Sequence, residues 1–247
     1  MTSRERLVAA SRGGPVDRLP WFCWGAPDPI SFAKSFAPDA VIVDQPEQAT
    51  AALSEFDDNG PAVLVSVLNP LGLALQEGAN PNEQTESDPQ AASQVVDAYA
   101  QRVQAQIEAA LDVGADGVFY RIIGACPNYS TPMQYGGFHL ETDRALLDAI
   151  REAPFNVALA EGKDVYLEFL TDLPAHALAW EPQATTMSGA EVQRMREGAV
   201  AYGLWSGWEQ LVQSQPPGTI LAGPFDADFD YRSVIESLRQ NSTEVVQ

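Results

Sequence analysis

Residues 62–68 read AVLVSVL, and residues 117–122 read GVFYRI. Both are short apolar runs rich in β-branched or aromatic residues, as expected of buried strands in a parallel sheet. Between them, apolar residues of the segment 88–113 recur at helical spacing, and Gly114 provides a C-terminal stop for this helix. This order of strand, helix and strand predicts a βαβ unit.

The same alternation of strand and helix patterns extends along the rest of the chain. Strands are predicted at residues 19–24, 40–43, 62–68, 117–122, 164–170, 175–180, 199–205 and 219–223. Further helices are predicted at residues 142–152, 188–197 and 231–240. Eight strands alternating with helices predict the α/β class and a single (β/α)8 barrel domain over residues 1–247.

The charge balance excludes two classes of partner. A formal net charge of −20 opposes binding to nucleic acid or to an anionic membrane, since both require a basic surface. The sequence lacks the pattern of a signal peptide and any apolar run of about 18 residues. We therefore expect a soluble, cytoplasmic, acidic protein whose partner is a small-molecule substrate.

Motifs for common cofactors are missing from the sequence. Cys23 and Cys126 are the only cysteines, so the chain cannot build a four-cysteine zinc site. No Gly-x-Gly-x-x-Gly fingerprint, Walker loop or Gly-x-Ser-x-Gly elbow occurs, which removes the usual signals for dinucleotide binding, phosphoryl transfer and α/β-hydrolase chemistry. The sequence predicts neither a cofactor nor a metal.

Five segments, in order along the chain, carry a family resemblance. They are SRERLVAA at 3–10, VDRLP at 16–20, VSVLNPLGLA at 65–74, GADGV at 114–118 and YGGF at 135–138. Together they resemble the uroporphyrinogen-decarboxylase superfamily. The resemblance implies a (β/α)8 barrel, an active site at the C-terminal ends of the strands, decarboxylation without a cofactor, and a homodimer.

Two family signatures are replaced by other residues. Uroporphyrinogen decarboxylases carry an arginine-rich loop after the first strand, where this chain has WFCWGAPDP at residues 21–29. Related corrinoid-dependent methyltransferases bind zinc through a His-x-Cys strand end and a later cysteine. This chain has EFL at 168–170 and GP at 223–224 in the corresponding places. A standard zinc-thiol site is therefore not expected.

Three residues are candidates for catalysis. Arg121 lies near the end of the fourth predicted strand and could clamp a carboxylate, or it could form a structural ion pair. Glu168 falls in the fifth predicted strand, where it could act as a general base, bind a metal or pair with an arginine. Asp226 follows the last strand and could transfer a proton or cap the final helix.

Seven further residues are candidates for substrate binding. The tryptophans could line an apolar pocket for a flat ligand or belong to the core. The tyrosines could orient the substrate, and the histidine could bind a ligand or be structural. The candidates are Trp24, Asn69, Tyr129, Tyr135, His139, Trp180 and Trp205.

Three functions remain open from the sequence. The first is a decarboxylase-like enzyme acting on a carboxylated small molecule, with Arg121 holding a carboxylate and Glu168 or Asp226 stabilising charge or transferring a proton. The second is corrinoid-linked methyl transfer, with Glu168 and His139 replacing the missing metal ligands. The third is an inactive barrel that binds a small molecule or a partner protein.

Overall fold

Eight parallel strands form a nearly closed barrel in the computed structural model, which describes residues 1–85, 87–181 and 183–244. The strands are β1 (Trp21–Trp24), β2 (Ala40–Val43), β3 (Ala62–Leu68), β4 (Gly117–Ile122), β5 (Val157–Ala160), β6 (Ala177–Trp180), β7 (Ala199–Gly203) and β8 (Thr219–Pro224). Their spatial order is β1-β8-β7-β6-β5-β4-β3-β2. The (β/α)8 prediction is confirmed.

Helices precede, connect and follow the strands. They are α1 (Ser3–Ser11), α2 (Pro29–Phe36), α3 (Pro46–Glu55), α4 (Pro70–Gln76), α5 (Pro89–Asp112), α6 (Pro132–Gln134), α7 (Leu140–Asp148), α8 (Leu167–Leu170), α9 (Gly189–Gln193), α10 (Trp208–Ser214) and α11 (Tyr231–Glu244). A 3-10 turn covers Pro81–Gln84, and a π-helical turn covers Tyr135–His139. Among the described residues, no helix has the length and apolar character needed to cross a membrane.

Large rings and small side chains together fill the barrel interior. Alternate residues of each strand point inward, so Phe22 and Trp24 of β1 meet Phe119 of β4 with ring centroids 6.4 and 5.7 Å apart. The neighbouring strands β6 and β7 contribute only alanines to the same cluster, namely Ala177, Ala179, Ala199 and Ala201. Leu7 and Ala10 of α1 close the N-terminal end. The barrel is therefore a packed core whose free space lies at its rims.

Asp39 connects β1 and β2, the first and last strands in the sheet order, and so helps to close the barrel. Its backbone N–H donates to the Trp21 carbonyl at 2.7 Å, and its carboxylate accepts from the Trp21 N–H at 2.9 Å. The same carboxylate, which has no exposed surface, receives Arg6 at 2.5 Å and Arg18 at 2.7 Å. Two cations thus offset the cost of burying this anion.

Seven of the predicted strands overlap observed strands, and one does not. The strand predicted at residues 164–170 is wrong, because this segment contains the short helix α8. The fifth strand is instead Val157–Ala160, with the sequence VALA. Its residues are fully buried between β4 and β6. This shift changes which carboxylate stands at the end of the fifth strand.

Candidate functional site

An ion pair between Arg121 and Glu161 lies in the C-terminal mouth of the barrel. Arg121 lies two residues beyond the inward-facing Phe119 on β4, and Glu161 directly follows β5. The guanidinium donates from Nε to Oε1 and from Nη2 to Oε2, the latter at 3.0 Å. Hydrogen bonding to Glu161 raises the pKa of Arg121 above its ordinary value. About a third of the Arg121 side chain remains exposed, so a ligand can reach it.

Two more carboxylates stand at strand ends around this pair. Glu181 directly follows β6, and its Oε2 accepts from the Gly162 N–H at 3.0 Å and from Gln183 at 2.8 Å. Asp44 directly follows β2 and is exposed. Both act electrostatically on Arg121 and help to raise its pKa. The mouth therefore holds one guanidinium among three carboxylates.

Open recesses flank the ion pair. Arg121, Asp44, Ser66 and Leu68 line one side of a recess of about 630 Å³ that continues along helix α5 on the outer side of β3. Glu181 lines another recess, of about 550 Å³, whose other walls include Trp205 and Asp226. Both volumes fall within the range that small-molecule sites occupy in proteins. Acidic and basic groups thus stand beside space large enough for a substrate.

Glu168, which the sequence placed at a strand end, lies elsewhere. It is an exposed residue of α8, beyond the loop that follows β5. Neighbouring Leu167 and Leu170 are buried and anchor this helical turn. The prediction failed because the predicted strand begins seven residues later along the chain than the observed β5. The carboxylate that directly follows the fifth strand is Glu161.

The other mouth candidates lie on the β1 and β8 side. Trp24 points into the barrel at the end of β1 and is largely buried against Phe119. Asp226 is exposed after β8, where its Oδ1 accepts from the Asp228 N–H at 2.8 Å. Trp205 packs on Phe229 with ring centroids 4.9 Å apart. These residues border the acidic mouth without touching Arg121 in the contacts observed.

Trp180 and Tyr129 do not face the ion pair. Trp180 stacks on Tyr202 outside the barrel wall, with ring centroids 5.2 Å apart and an interplanar angle of 13°. The two rings line a cavity of about 740 Å³ that Trp205 also borders. This cavity lacks an acid–base pair, so we place the chemistry in the mouth. Tyr129 is an exposed residue of the loop after β4.

Asn69 and Tyr135 belong to a buried polar cluster outside the barrel. Asp143 accepts hydrogen bonds from the hydroxyls of Tyr120 at 2.7 Å and Tyr135 at 2.6 Å, and from Asn69 at 3.2 Å. Burial raises the pKa of Asp143 to about 6. Asn69 and Tyr135 have no exposed surface, so their predicted contact with substrate is not available in this structure.

His139 is also buried outside the mouth. Its Nε2 lies 2.8 Å from the Asn82 side-chain oxygen, and its Nδ1 has no hydrogen-bond partner among the described residues. Burial lowers the pKa of His139 to about 4. The imidazole is therefore neutral near pH 7 and packs against Tyr135.

A zinc site of the kind expected in related methyltransferases does not match these residues. Cys23 points outward from β1 into a separate apolar cluster, and burial raises its pKa to about 12. Burial also raises the pKa of Cys126. Across the described ranges, no group of three or more His, Cys, Asp or Glu side chains could hold a metal ion.

Sequence reasoning missed Asp44, Glu161 and Glu181, although one signal connects them. Each carboxylate directly follows the last apolar residue of its strand, after AVIV, VALA and ALAW respectively. In a parallel barrel these positions converge on the mouth. An acidic residue immediately after a short apolar run would have identified all three.

Comparisons with known proteins bear on the fold. No family model and no curated protein match the sequence. A methyltransferase from Methanosarcina mazei aligns over 100% of both chains, with a TM-score of 0.75 and 11% identity. A protein of Burkholderia cenocepacia J2315 described as a lyase/mutase aligns over 99% of this chain and 88% of its own, with a TM-score of 0.54 and 15% identity. At these identities the likeness shows a shared barrel fold.

Proposed function

We propose that this barrel is a decarboxylase-like enzyme of the uroporphyrinogen-decarboxylase type. Its substrate is a carboxylated small molecule with an electron-rich unsaturated centre. The observation that carries the proposal is the Arg121–Glu161 pair, which lies at the ends of adjacent strands with about a third of the Arg121 side chain exposed to solvent. Perturbed or paired charges in a barrel mouth are a frequent feature of active sites.

The charges around Arg121 suggest which substrate the mouth accepts. A substrate carboxylate can replace Glu161 on the guanidinium with the same bidentate geometry. The carboxylates of Glu161, Glu181 and Asp44 then face the rest of the substrate. The anions of Glu181 and Asp44 in this partly enclosed space stabilise positive charge, so the transition state should be more cationic than the bound substrate.

This arrangement supports a decarboxylation in which the substrate is first protonated and then loses carbon dioxide. Arg121 holds one substrate carboxylate, and Glu161, displaced from the guanidinium by that carboxylate, transfers a proton from solvent to an unsaturated carbon. The substrate becomes a cation that Glu181 and Asp44 stabilise. The bond to a second carboxylate then breaks, its electron pair neutralises the cation, and carbon dioxide leaves. Proton donation by a positioned carboxyl group typically accelerates such steps by about 10²–10⁴-fold.

Release of carbon dioxide tests this proposal. The purified protein is incubated anaerobically with uroporphyrinogen and with smaller pyrrole and aryl carboxylic acids, and carbon dioxide is measured for each. We expect turnover of at least one compound. Glu161→Gln and Arg121→Gln should each reduce it by about 100-fold or more, because each removes one member of the pair.

Arg144→Gln is the matched control. Arg144 forms a similar two-hydrogen-bond contact with Asp172, at 2.9 and 3.0 Å, on the exposed outer surface. This variant should retain wild-type turnover. Absence of carbon dioxide release from every compound would favour an inactive binding barrel, and unchanged turnover in Arg121→Gln would refute the assigned site.

A further inference from the structure

A second cavity lies at the opposite, N-terminal end of the barrel. It has a volume of about 720 Å³ and lies beside the starts of β6 and β7. Arg12 borders it where α1 ends, and His176 and Arg196 border it from the segments that precede the two strands. The barrel separates it from the Arg121–Glu161 pair, so it has no part in the proposed decarboxylation.

The lining of this cavity is basic in an acidic protein. Four arginines and only two carboxylates line it, although the whole chain has 34 acidic and 14 basic residues. The arginines are Arg12, Arg151, Arg194 and Arg196. One of the two carboxylates, Asp172, is already bound by Arg144 at 2.9 Å, and the other is Glu197. The cavity thus concentrates positive charge that the lining itself does not neutralise.

Three of these arginines lack a salt bridge among the described residues. Arg12, Arg194 and Arg196 take part in none of the salt bridges found there, although Arg194 acts electrostatically on Glu191. Arg151, by contrast, pairs with Asp148 and Glu152. Acidic residues outnumber basic ones more than twofold in this chain, so a lining with four arginines and two carboxylates reverses the overall balance of charge. The convergence of these arginines on one cavity indicates a site for an external anion.

The buried guanidinium of Arg196 is the strongest indication of an anion site. Its side chain is more than nine-tenths buried, yet it donates only to the backbone carbonyls of Ala175 at 2.8 Å and Thr171 at 3.3 Å. Its Nε has no partner among the described residues, and burial lowers its pKa to about 10. A buried cation without an anion is costly, and an anion in the adjoining cavity would offset that cost.

His176 lies close enough to Arg12 and Arg196 for their positive charges to affect its pKa. Its Nδ1 accepts a hydrogen bond from the Asn156 N–H at 2.9 Å, so a neutral ring carries its proton on Nε2. Burial lowers the pKa of His176, and the charges of Arg12 and Arg196 lower it further. Glu152 acts in the opposite direction. A bound anion beside these arginines would raise this pKa.

We propose that this cavity binds a multiply charged small anion, a phosphate-bearing or polycarboxylate molecule. The guanidiniums of Arg12 and Arg194, which are exposed, would contact its charged oxygens directly. Arg196 would supply a fixed buried charge behind them. Binding at this end of the barrel would stabilise the folded state without entering the mouth.

Pyrophosphate and citrate are the probes for this site. The chain has only two histidines, so the imidazole signals of His139 and His176 can be followed separately by NMR during a titration at low salt. We expect saturable shifts of the His176 signal and a higher His176 pKa, with no change at His139. A response to pyrophosphate alone, or to citrate alone, would support the site and identify the anion chemistry.

Variants distinguish a built site from general attraction. Arg12→Gln combined with Arg194→Gln should weaken binding by about tenfold or more, since two charge-assisted contacts are lost. Both residues are exposed, so the fold should survive. Arg239→Gln removes an exposed arginine of α11 and should leave binding unchanged. No saturable shift with either probe, or equal weakening in Arg239→Gln, would overturn the proposal.

Discussion

Asp143 and His139 are buried titratable residues one helical turn apart, and burial affects their charged forms in the same way. Burial raises the pKa of Asp143 from 3.8 to about 6 and lowers that of His139 from 6.5 to about 4. Asp143 therefore stabilises the fold at low pH, and this contribution is lost as pH rises through about 6. His139 stabilises the fold at high pH, and this contribution is lost as pH falls from 6.5 through about 4.

Between pH 4 and 6 the stability contributions of Asp143 and His139 change in opposite directions and partly cancel. Variants that remove one of the two residues should therefore reveal the contribution of the other. Relative to wild type, Asp143→Asn should become more stable by roughly 3 kcal/mol as pH rises from about 4 to about 6. His139→Gln should change in the opposite direction by a similar amount. Urea unfolding at several pH values measures both differences, and a difference that does not vary with pH would contradict this account.

Arg121 and Glu161 show how far single residues could be placed from the sequence. Arg121 was placed correctly at a strand end because GVFYRI combines aromatic and β-branched residues in one short run. The sequence indicates its ion pair only as a structural alternative to a carboxylate clamp. Glu161 was missed because the strand before it was missed. Which face of a strand an arginine occupies depends on register, which local sequence does not determine.

The β1–β2 junction depends on the side chain of Asp39. Asp39 holds both strands and accepts from Arg6 and Arg18 without any exposure to water. Asp39→Asn should lower the free energy of unfolding by about 3–5 kcal/mol, because the buried pair of Asp39 with Arg6 is broken and the part-buried Arg18 loses its carboxylate partner. Arg6 nevertheless keeps its contact with Asp17. Thermal or urea unfolding measures the loss.

Asp148→Asn provides the control for the Asp39 variant. Asp148 lies 3.5 Å from Arg151 on the surface, where both side chains are more than half exposed. Its replacement should change the free energy of unfolding by no more than about 0.5 kcal/mol. Equal losses in the two variants would show that Asp39 does not support the junction.

The misassigned fifth strand has a physical cause. Residues 164–170, DVYLEFL, contain aromatic and β-branched side chains, which favour strands locally. The true strand, VALA, is short and half alanine, which is a weak strand former. It becomes a strand because its residues are buried between β4 and β6. Tertiary packing therefore decided this element against local propensity.

The charge of the whole chain predicts its response to salt. With 34 acidic and 14 basic residues, the folded protein repels itself electrostatically. Raising the sodium chloride concentration from about 10 to 300 mM shortens the screening length several-fold, so the melting temperature should rise. Differential scanning calorimetry across this range measures the effect. A melting temperature that falls with salt would show that the surface ion pairs outweigh the repulsion.

The fold followed from the order of strand and helix patterns, whereas the chemistry did not. Seven strands and the long helix α5 were predictable because their apolar periodicity is strong. The mouth depends on side chains from β2, β4, β5 and β6, which lie far apart along the chain. Their convergence appears only once the barrel closes, and a barrel fold by itself supports many reactions.

Carbon dioxide release by Glu161→Gln and Glu168→Gln, compared side by side on one substrate, tests the central claim most directly. Glu161 follows β5 in the mouth, whereas Glu168 is exposed on α8. The account predicts that Glu161→Gln loses about 100-fold or more of wild-type turnover and that Glu168→Gln keeps it. Loss in Glu168→Gln with full turnover in Glu161→Gln would contradict the assignment of the mouth as the active site.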